Sequence, residues 1–163
     1  MIKKKICMLG SFAVGKTSLV QQFINSIFSE KYHTTIGVKI DQKTVVIDDV
    51  EIKLILWDIH GDDDFQKVKA SYLTGASGII LVIDGTRKST QNTASQLGQL
   101  VKETIGNVPD ALLINKCDLE NDWEFDDGAI EELKARFSRV YITSAKTGEN
   151  VEAAFHDLTQ MMI

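Results

Sequence analysis

The chain has little of what would staple, anchor or export a protein. It holds two cysteines and one proline among 163 residues. Cys7 and Cys117 stand far apart and lack metal-ligand spacing, which excludes a disulfide framework and a zinc cluster and suits a reducing, cytoplasmic compartment. Cys7 sits in the apolar run ICML and reads as a buried core thiol. No signal peptide opens the chain, and no apolar run reaches membrane-spanning length. The end, Met161-Met162-Ile163, carries no cysteine, so no prenylation box is present and no stable membrane anchor is expected in this chain. Basic residues are in deficit: 18 Lys and Arg against 23 Asp and Glu, a net charge of −5. An acidic balance argues against a nucleic-acid partner, because phosphate backbones are bound by basic surfaces. Lys3-Lys4-Lys5 falls short of the roughly 4–8 basic residues that lipid surfaces recruit, and reads as a solvated strand start.

What remains is an ordinary globular composition, 44% hydrophobic and 25% charged. A chain near this size buries about 68–70% of its unfolded surface and can fold unaided. No internal repeat, linker or low-complexity segment divides it, so residues 1–163 are expected to form one domain. Residues 2–9 read as a strand. Leu19, Val20, Phe23, Ile24 and Ile27 then recur at helical spacing. Residues 38–47 and 50–58 read as a hairpin around Asp48-Asp49. GIILVID (78–84) and ALLIN (111–115) are continuous apolar runs, the mark of strands buried on both faces. Helical faces are read over 91–105, 127–137 and 150–162, and a short strand over 140–144. Strands alternating with helices predict a mostly parallel sheet covered on both sides.

Between the first strand and the first helix stands Gly10-Ser11-Phe12-Ala13-Val14-Gly15-Lys16-Thr17, a match to G-x-x-x-x-G-K-[ST]. Glycines permit the φ/ψ values by which backbone N–H groups wrap a phosphate. The helix N-terminus adds its positive dipole end. Gly10, Ala13, Val14, Gly15, Lys16, Thr17 and Ser18 are thus placed against the phosphates. Lys16 supplies a point charge, and the Thr17 hydroxyl ligates Mg²⁺. The pattern does not by itself choose GTP over ATP.

Further motifs follow in order: Thr35-Ile36-Gly37, Trp57-Asp58-Ile59-His60-Gly61, Asn115-Lys116-Cys117-Asp118 and Thr143-Ser144-Ala145-Lys146. With the phosphate loop they make the chain resemble the Ras-superfamily GTPases over essentially its whole length. FSEKYHTTIGV and SYLTGASGIILVID look most like the Rab branch, and the chain also resembles short prokaryotic Rab-like GTPases. The resemblance implies a Ras-type P-loop fold of class α/β: six strands, mostly parallel, one antiparallel, helices on both faces. It implies that Asp118 accepts from the guanine N1–H and amino group. Asn115 would brace the loops, and the Lys116 stem would lie along the base. The Ala145 amide, within Ser144-Ala145-Lys146, would meet the guanine carbonyl, and Phe28 would stack opposite. Thr35 and Asp58 would join Thr17 around Mg²⁺. The Gly61 amide would reach the γ-phosphate, and Tyr32 would close over it. Trp57 and Tyr72 match two of three aromatics that Rabs use for effectors. The third is Ile40 here, which leaves packing as the reading for the pair.

Three departures surround the γ-phosphate. Asp62 stands where the family usually has the glutamine that orients the attacking water. His60 replaces the usual alanine. Phe12 replaces glycine or another small residue. Asp62-Asp63-Asp64 also makes this stretch acidic, either as a solvated face or as a docking site for a basic partner. Lys16, Thr35, Gly61, Asp62 and His60 are the residues the resemblance puts at the hydrolytic step, with His60 a surrogate water-positioner or a spacer. The expectation is a monomeric GTP/GDP switch that hydrolyses slowly and has an effector, an exchange factor and an activating protein as partners. The alternatives are a non-hydrolysing GTP-dependent scaffold and an ATP-using P-loop kinase; Asp118 argues against the kinase.

Overall fold

A computed structural model describes residues 1–28, 37–59 and 70–163. The chain runs β1 (Ile2–Gly10), α1 (Lys16–Asn25), β2 (Val38–Ile47), β3 (Val50–Ile59), α2 (Ala70–Leu73), β4 (Gly78–Asp84), α3 (Thr90–Ile105), β5 (Asp110–Asn115), α4 (Asp127–Arg136), β6 (Val140–Ile142) and α5 (Val151–Met162). The six strands form one sheet in the order β2-β3-β1-β4-β5-β6. Only β2 pairs antiparallel, with β3; β3-β1, β1-β4, β4-β5 and β5-β6 are parallel.

Position in the sheet explains composition. Every residue of the central strand β4 is buried, as a strand covered on both faces requires. Edge strand β2 instead alternates exposed and half-buried residues. Its turn into β3 places Asp48 (φ 49) and Asp49 (φ 65) in the left-handed region. Two consecutive positive φ values match the right-handed twist of a hairpin, and aspartate tolerates them better than bulkier residues.

The sheet separates two cores. On one face α1 and α5 bring Leu19, Phe23, Phe155 and Leu158 onto Ile6, Met8, Leu54 and Ile80. The rings of Phe23 and Phe155 stack at 4.0 Å and 4°. On the other face α3 and α4 bring Leu97, Val101, Ile130 and Leu133 onto Cys7, Ile79, Leu81 and Leu112. Cys7 is the core thiol its apolar neighbours predict, fully buried, with burial pushing its pKa up to about 11. Element ends differ by a residue or two from the sequence reading. Helix α4 stops at Arg136 because Phe137 is extended, and α5 begins after Asn150, which takes a left-handed φ of 59. The strand read over 140–144 ends at Ile142, since Thr143 and Ser144 turn toward the site. No described helix is long and apolar enough to cross a membrane.

Candidate functional site

The parallel strands end side by side at Gly10, Asp84 and Asn115, with Asp58 near the end of β3. This edge, the carboxyl side of an open α/β sheet, is where such folds bind ligands. The phosphate loop leaves β1 here, tightly seated. A Cβ on Gly10 would run into the Val82 carbonyl, and one on Gly15 into the Asn115 amide. Gly15 also takes φ 103, which a side chain would strain.

The carbonyls of residues 10–14 are each held by a side-chain cation or amide. Lys16 Nζ donates to Gly10 O (3.2 Å) and Ser11 O (3.3 Å). Arg87 Nη2 donates to Phe12 O (2.6 Å), Lys116 Nζ to Ala13 O (2.9 Å) and Asn115 Nδ2 to Val14 O (3.0 Å). A trans peptide is planar, with its C=O and N–H opposed. Where Arg87, Lys116 and Asn115 hold the carbonyls of Phe12, Ala13 and Val14, the N–H of the next residue points the opposite way. Successive N–H groups pointing into one concavity make an anion nest, completed by the N-terminus of α1. Lys16, 6% exposed, stands at its base.

Beside the loop, the Thr17 hydroxyl donates to Asp58 Oδ2. Asp58 is buried, and its other oxygen, Oδ1, has no hydrogen-bond partner among the described residues. Burial pushes this carboxyl above its ordinary value, against the pull of Thr17 and Lys16. A buried carboxylate oxygen without a donor is costly, and a cation or its water removes the cost. The pair fits Mg²⁺: hard oxygen donors, few in number, leaving positions for water and phosphate.

Across the loop lies the second cluster. Asn115, 1% exposed, donates to Val14 O while its Oδ1 accepts from Thr143 Oγ1 (3.2 Å) and the Ala145 amide (3.2 Å). Ser144 Oγ donates to Asp118 Oδ1 at 2.7 Å, which fixes that carboxylate. Gln22 of α1 holds the same loop through Ala145 O at 2.7 Å. Lys146 follows Ala145 in the same loop and is exposed, and so is Phe28 after α1. Cys117 lies within this cluster, its Sγ 3.6 Å from Glu149 Oε2; burial and that carboxylate push the thiol up to about 11.

The structure thus brings together Gly10, Ala13, Val14, Gly15, Lys16, Thr17, Ser18, Asp58, Asn115, Lys116, Asp118, Ser144 and Ala145. Tyr32, Thr35, His60, Gly61 and Asp62 lie outside the described residues. Trp57 and Tyr72 pack as expected, rings 6.4 Å apart, on the α3–α4 face, with Lys5 Nζ 3.6 Å over the indole; Ile40 is exposed. The sequence reading missed Asp84 and Arg87. Asp84 is 1% exposed and bonded to Arg87, Lys116 and Thr86. A carboxylate ending the buried run GIILVID was the available signal.

An anion nest at a strand-to-helix turn, a hard-cation pair and a fixed carboxylate define a P-loop nucleotide-binding protein. The Ras family model matches residues 5–163, and the chain belongs to that family of small GTP-binding GTPases, in its Rab type. It is 35% identical to the Ras-related protein Rab-13 of Canis lupus familiaris over 158 residues, 96% of this chain and 78% of that protein. Ras-related protein Rab-1 of Theileria parva is 36% identical over 161 residues, 97% of this chain and 73% of that protein. Rab-13 of Rattus norvegicus is 36% identical over 159 residues. The six-stranded sheet with its single antiparallel pairing is the Ras-type fold expected of such a chain.

Proposed function

We propose that residues 1–163 form one GTPase domain, a cytoplasmic GTP/GDP switch with slow Mg²⁺-dependent hydrolysis to GDP and phosphate. The observation that carries this reading is the joining of two clusters. Asn115 and Lys116 reach from the Asp118 motif onto two carbonyls of the phosphate loop, so base reader and phosphate cradle are one rigid unit.

In this reading the loop amides and Lys16 take the phosphates, and Asp118 takes the guanine N1–H and amino group. Ala145 and Lys116 line the base, and Phe28 stacks on it. Thr17, Thr35 and Asp58 would hold Mg²⁺, which when bound neutralises phosphate charge. Tyr32, Gly61, His60 and Asp62 belong to the γ-phosphate side. Phosphoryl transfer depends on positioning and electrostatics. An ionised Asp62 accepts hydrogen bonds only, adds negative charge and is a methylene shorter than glutamine. A GTP-state effector, an exchange factor and an activating protein are the partners of such a switch.

The test is nucleotide competition on the wild type and Asp118→Asn. The wild type should prefer GTP over ATP by about 10⁴–10⁵, since adenine leaves the carboxylate unpaired. Asp118→Asn should shift preference toward xanthosine triphosphate, which carries a carbonyl where guanine has its amino group. ATP binding within tenfold of GTP would overturn the assignment. Asp62 also supports a second reading, a scaffold that signals by GTP binding alone; no turnover with excess exchange factor and Mg²⁺ present would select it.

A further inference from the structure

Three successive carbonyls of the phosphate loop are each held by a side chain from elsewhere in the fold: Val14 O by Asn115, Ala13 O by Lys116, Phe12 O by Arg87. Asn115 and Lys116 belong to the guanine motif. Arg87 belongs to no motif; it follows β4, 75 positions along the chain from Phe12.

Arg87 is aimed by Asp84. The buried carboxylate accepts from Arg87 Nε at 3.0 Å and Lys116 Nζ at 2.9 Å through Oδ2. Its Oδ1 accepts from the Thr86 amide (2.8 Å) and hydroxyl (2.7 Å). Burial alone would raise the Asp84 carboxyl, but the bonds from Thr86, Lys116 and Arg87 together hold it below its ordinary value, so it is an anion. The turn that carries Arg87 is fixed as well. Gly85 N donates to Asn115 O (2.9 Å), Glu124 N donates to Gly85 O (2.8 Å), and Trp123 lies so close over Gly85 that no Cβ fits. A guanidinium suits the gap because its planar fork reaches a carboxylate with one edge and a carbonyl with another.

Drawing Phe12 O backward orients the whole peptide plane, and that plane carries the Ala13 N–H. Ala13 itself takes φ 60, a left-handed value a non-glycine residue adopts only when held there. We infer that Arg87 is a positioning residue for nucleotide retention: bridging Asp84 and Phe12 O, it turns the Phe12–Ala13 peptide so that the Ala13 amide faces the β-phosphate. This rests on the guanine-nucleotide reading above and adds a residue to it. Because the contact is to the loop and not to the base, its loss should be felt by a diphosphate and not by a monophosphate.

The experiment measures GDP and GMP affinity by competition against a fluorescent GDP, for full-length wild type, Arg87→Ala and Arg87→Lys. Arg87→Ala should bind GDP about tenfold more weakly, close to 1.4 kcal/mol, and release it faster, with GMP affinity unchanged. Arg87→Lys should recover part of the loss, since an ammonium reaches one of the two acceptors but not both. Unchanged GDP affinity in Arg87→Ala would overturn the inference. An equal loss for GDP and GMP would also overturn it, as that is a general loosening of the fold. Should the alanine variant not fold, the GDP-to-GMP ratio of Arg87→Lys decides: it must fall below wild type. A wild type that binds neither nucleotide would refute the guanine-nucleotide reading itself, a separate outcome.

Discussion

Replacing Asn115 by alanine removes hydrogen bonds on three sides of a side chain that is 1% exposed. The groups left behind are Val14 O, the Thr143 hydroxyl and the Ala145 amide, all in residues at or below 3% exposure. A buried polar group stripped of its partner costs about 1–3 kcal/mol. The truncated site leaves room for water beside the loop, which favours the lower end, so the sum is about 3 kcal/mol. That is a large share of a total stability of about 5–15 kcal/mol. With a urea slope of about 1–3 kcal/mol/M, the midpoint should fall by about 1–3 M. The measurement belongs in metal-free, nucleotide-free buffer, so that lost ligand binding does not enter. Thr143→Val is the control: it removes one hydroxyl and leaves Asn115 its bonds to Val14 O and the Ala145 amide, and should cost about 1 kcal/mol. A midpoint shift under ~0.5 M for Asn115→Ala would refute the claim that Asn115 braces the loops before any nucleotide arrives.

Chelation by EDTA should speed GDP release, because Thr17 and Asp58 present a cation site beside the phosphate loop; a release rate unmoved by EDTA contradicts that site. Cys117, its thiol pushed up to about 11 first by burial and then by Glu149, should react with iodoacetamide at pH 8 far more slowly than glutathione, and Glu149→Gln should quicken it. Asp84, held below its ordinary value of 3.8, should stabilise the fold above that pH and lose the contribution as pH falls through its folded value. The stability gap between wild type and Asp84→Asn should thus be constant from about pH 6 to 8 and close in acid; a gap that widens in acid has the wrong sign. Single-turnover hydrolysis should run at or below about 3–5 × 10⁻⁴ s⁻¹ and rise in Asp62→Gln. A faster wild type that His60→Ala leaves untouched would sink both the slow switch and the histidine surrogate.

The sheet was legible because its central strands are buried on both faces, and an apolar run bounded by Gly, Pro and polar residues allows little else. GIILVID was read to the residue. Helix α2 was not, since its four residues, Ala70–Leu73, are about one turn and carry no period. Nor was the 3-10 turn Glu120–Asp122. Strand β6 ends two residues early because Thr143 and Ser144 are spent on Asn115 and Asp118. The phosphate and base motifs were legible since their residue types and spacing are the chemistry itself. Asp84 and Arg87 were not, because their role is a contact between chain segments far apart in sequence that only the folded sheet brings together.

In the proposed switch, holding a nucleotide and sensing its γ-phosphate draw on different parts of this chain, with Lys16 shared between them. The nest, Asp58, the guanine motif and the Asp84–Arg87–Lys116 bracket hang from strand ends or from α1, and Arg87 and Lys116 tie the phosphate loop to Asp84 within the sheet edge. The residues assigned to the γ-phosphate, Tyr32, Thr35, His60, Gly61 and Asp62, belong to two segments whose only covalent ties to that edge are at their ends. Free energy lost at Asn115 or Arg87 should therefore appear in affinity and release, with the single-turnover rate of bound GTP little changed. Substitution at Asp62 or His60 should do the reverse. Measured on the same protein, Arg87→Ala must move the GDP release rate while leaving the single-turnover rate within about twofold, and Asp62→Gln must move the single-turnover rate while leaving GDP release alone. If both variants move both rates, the phosphate loop and the hydrolytic residues are one coupled unit, and the bracket behind the loop then acts on chemistry as well as on retention.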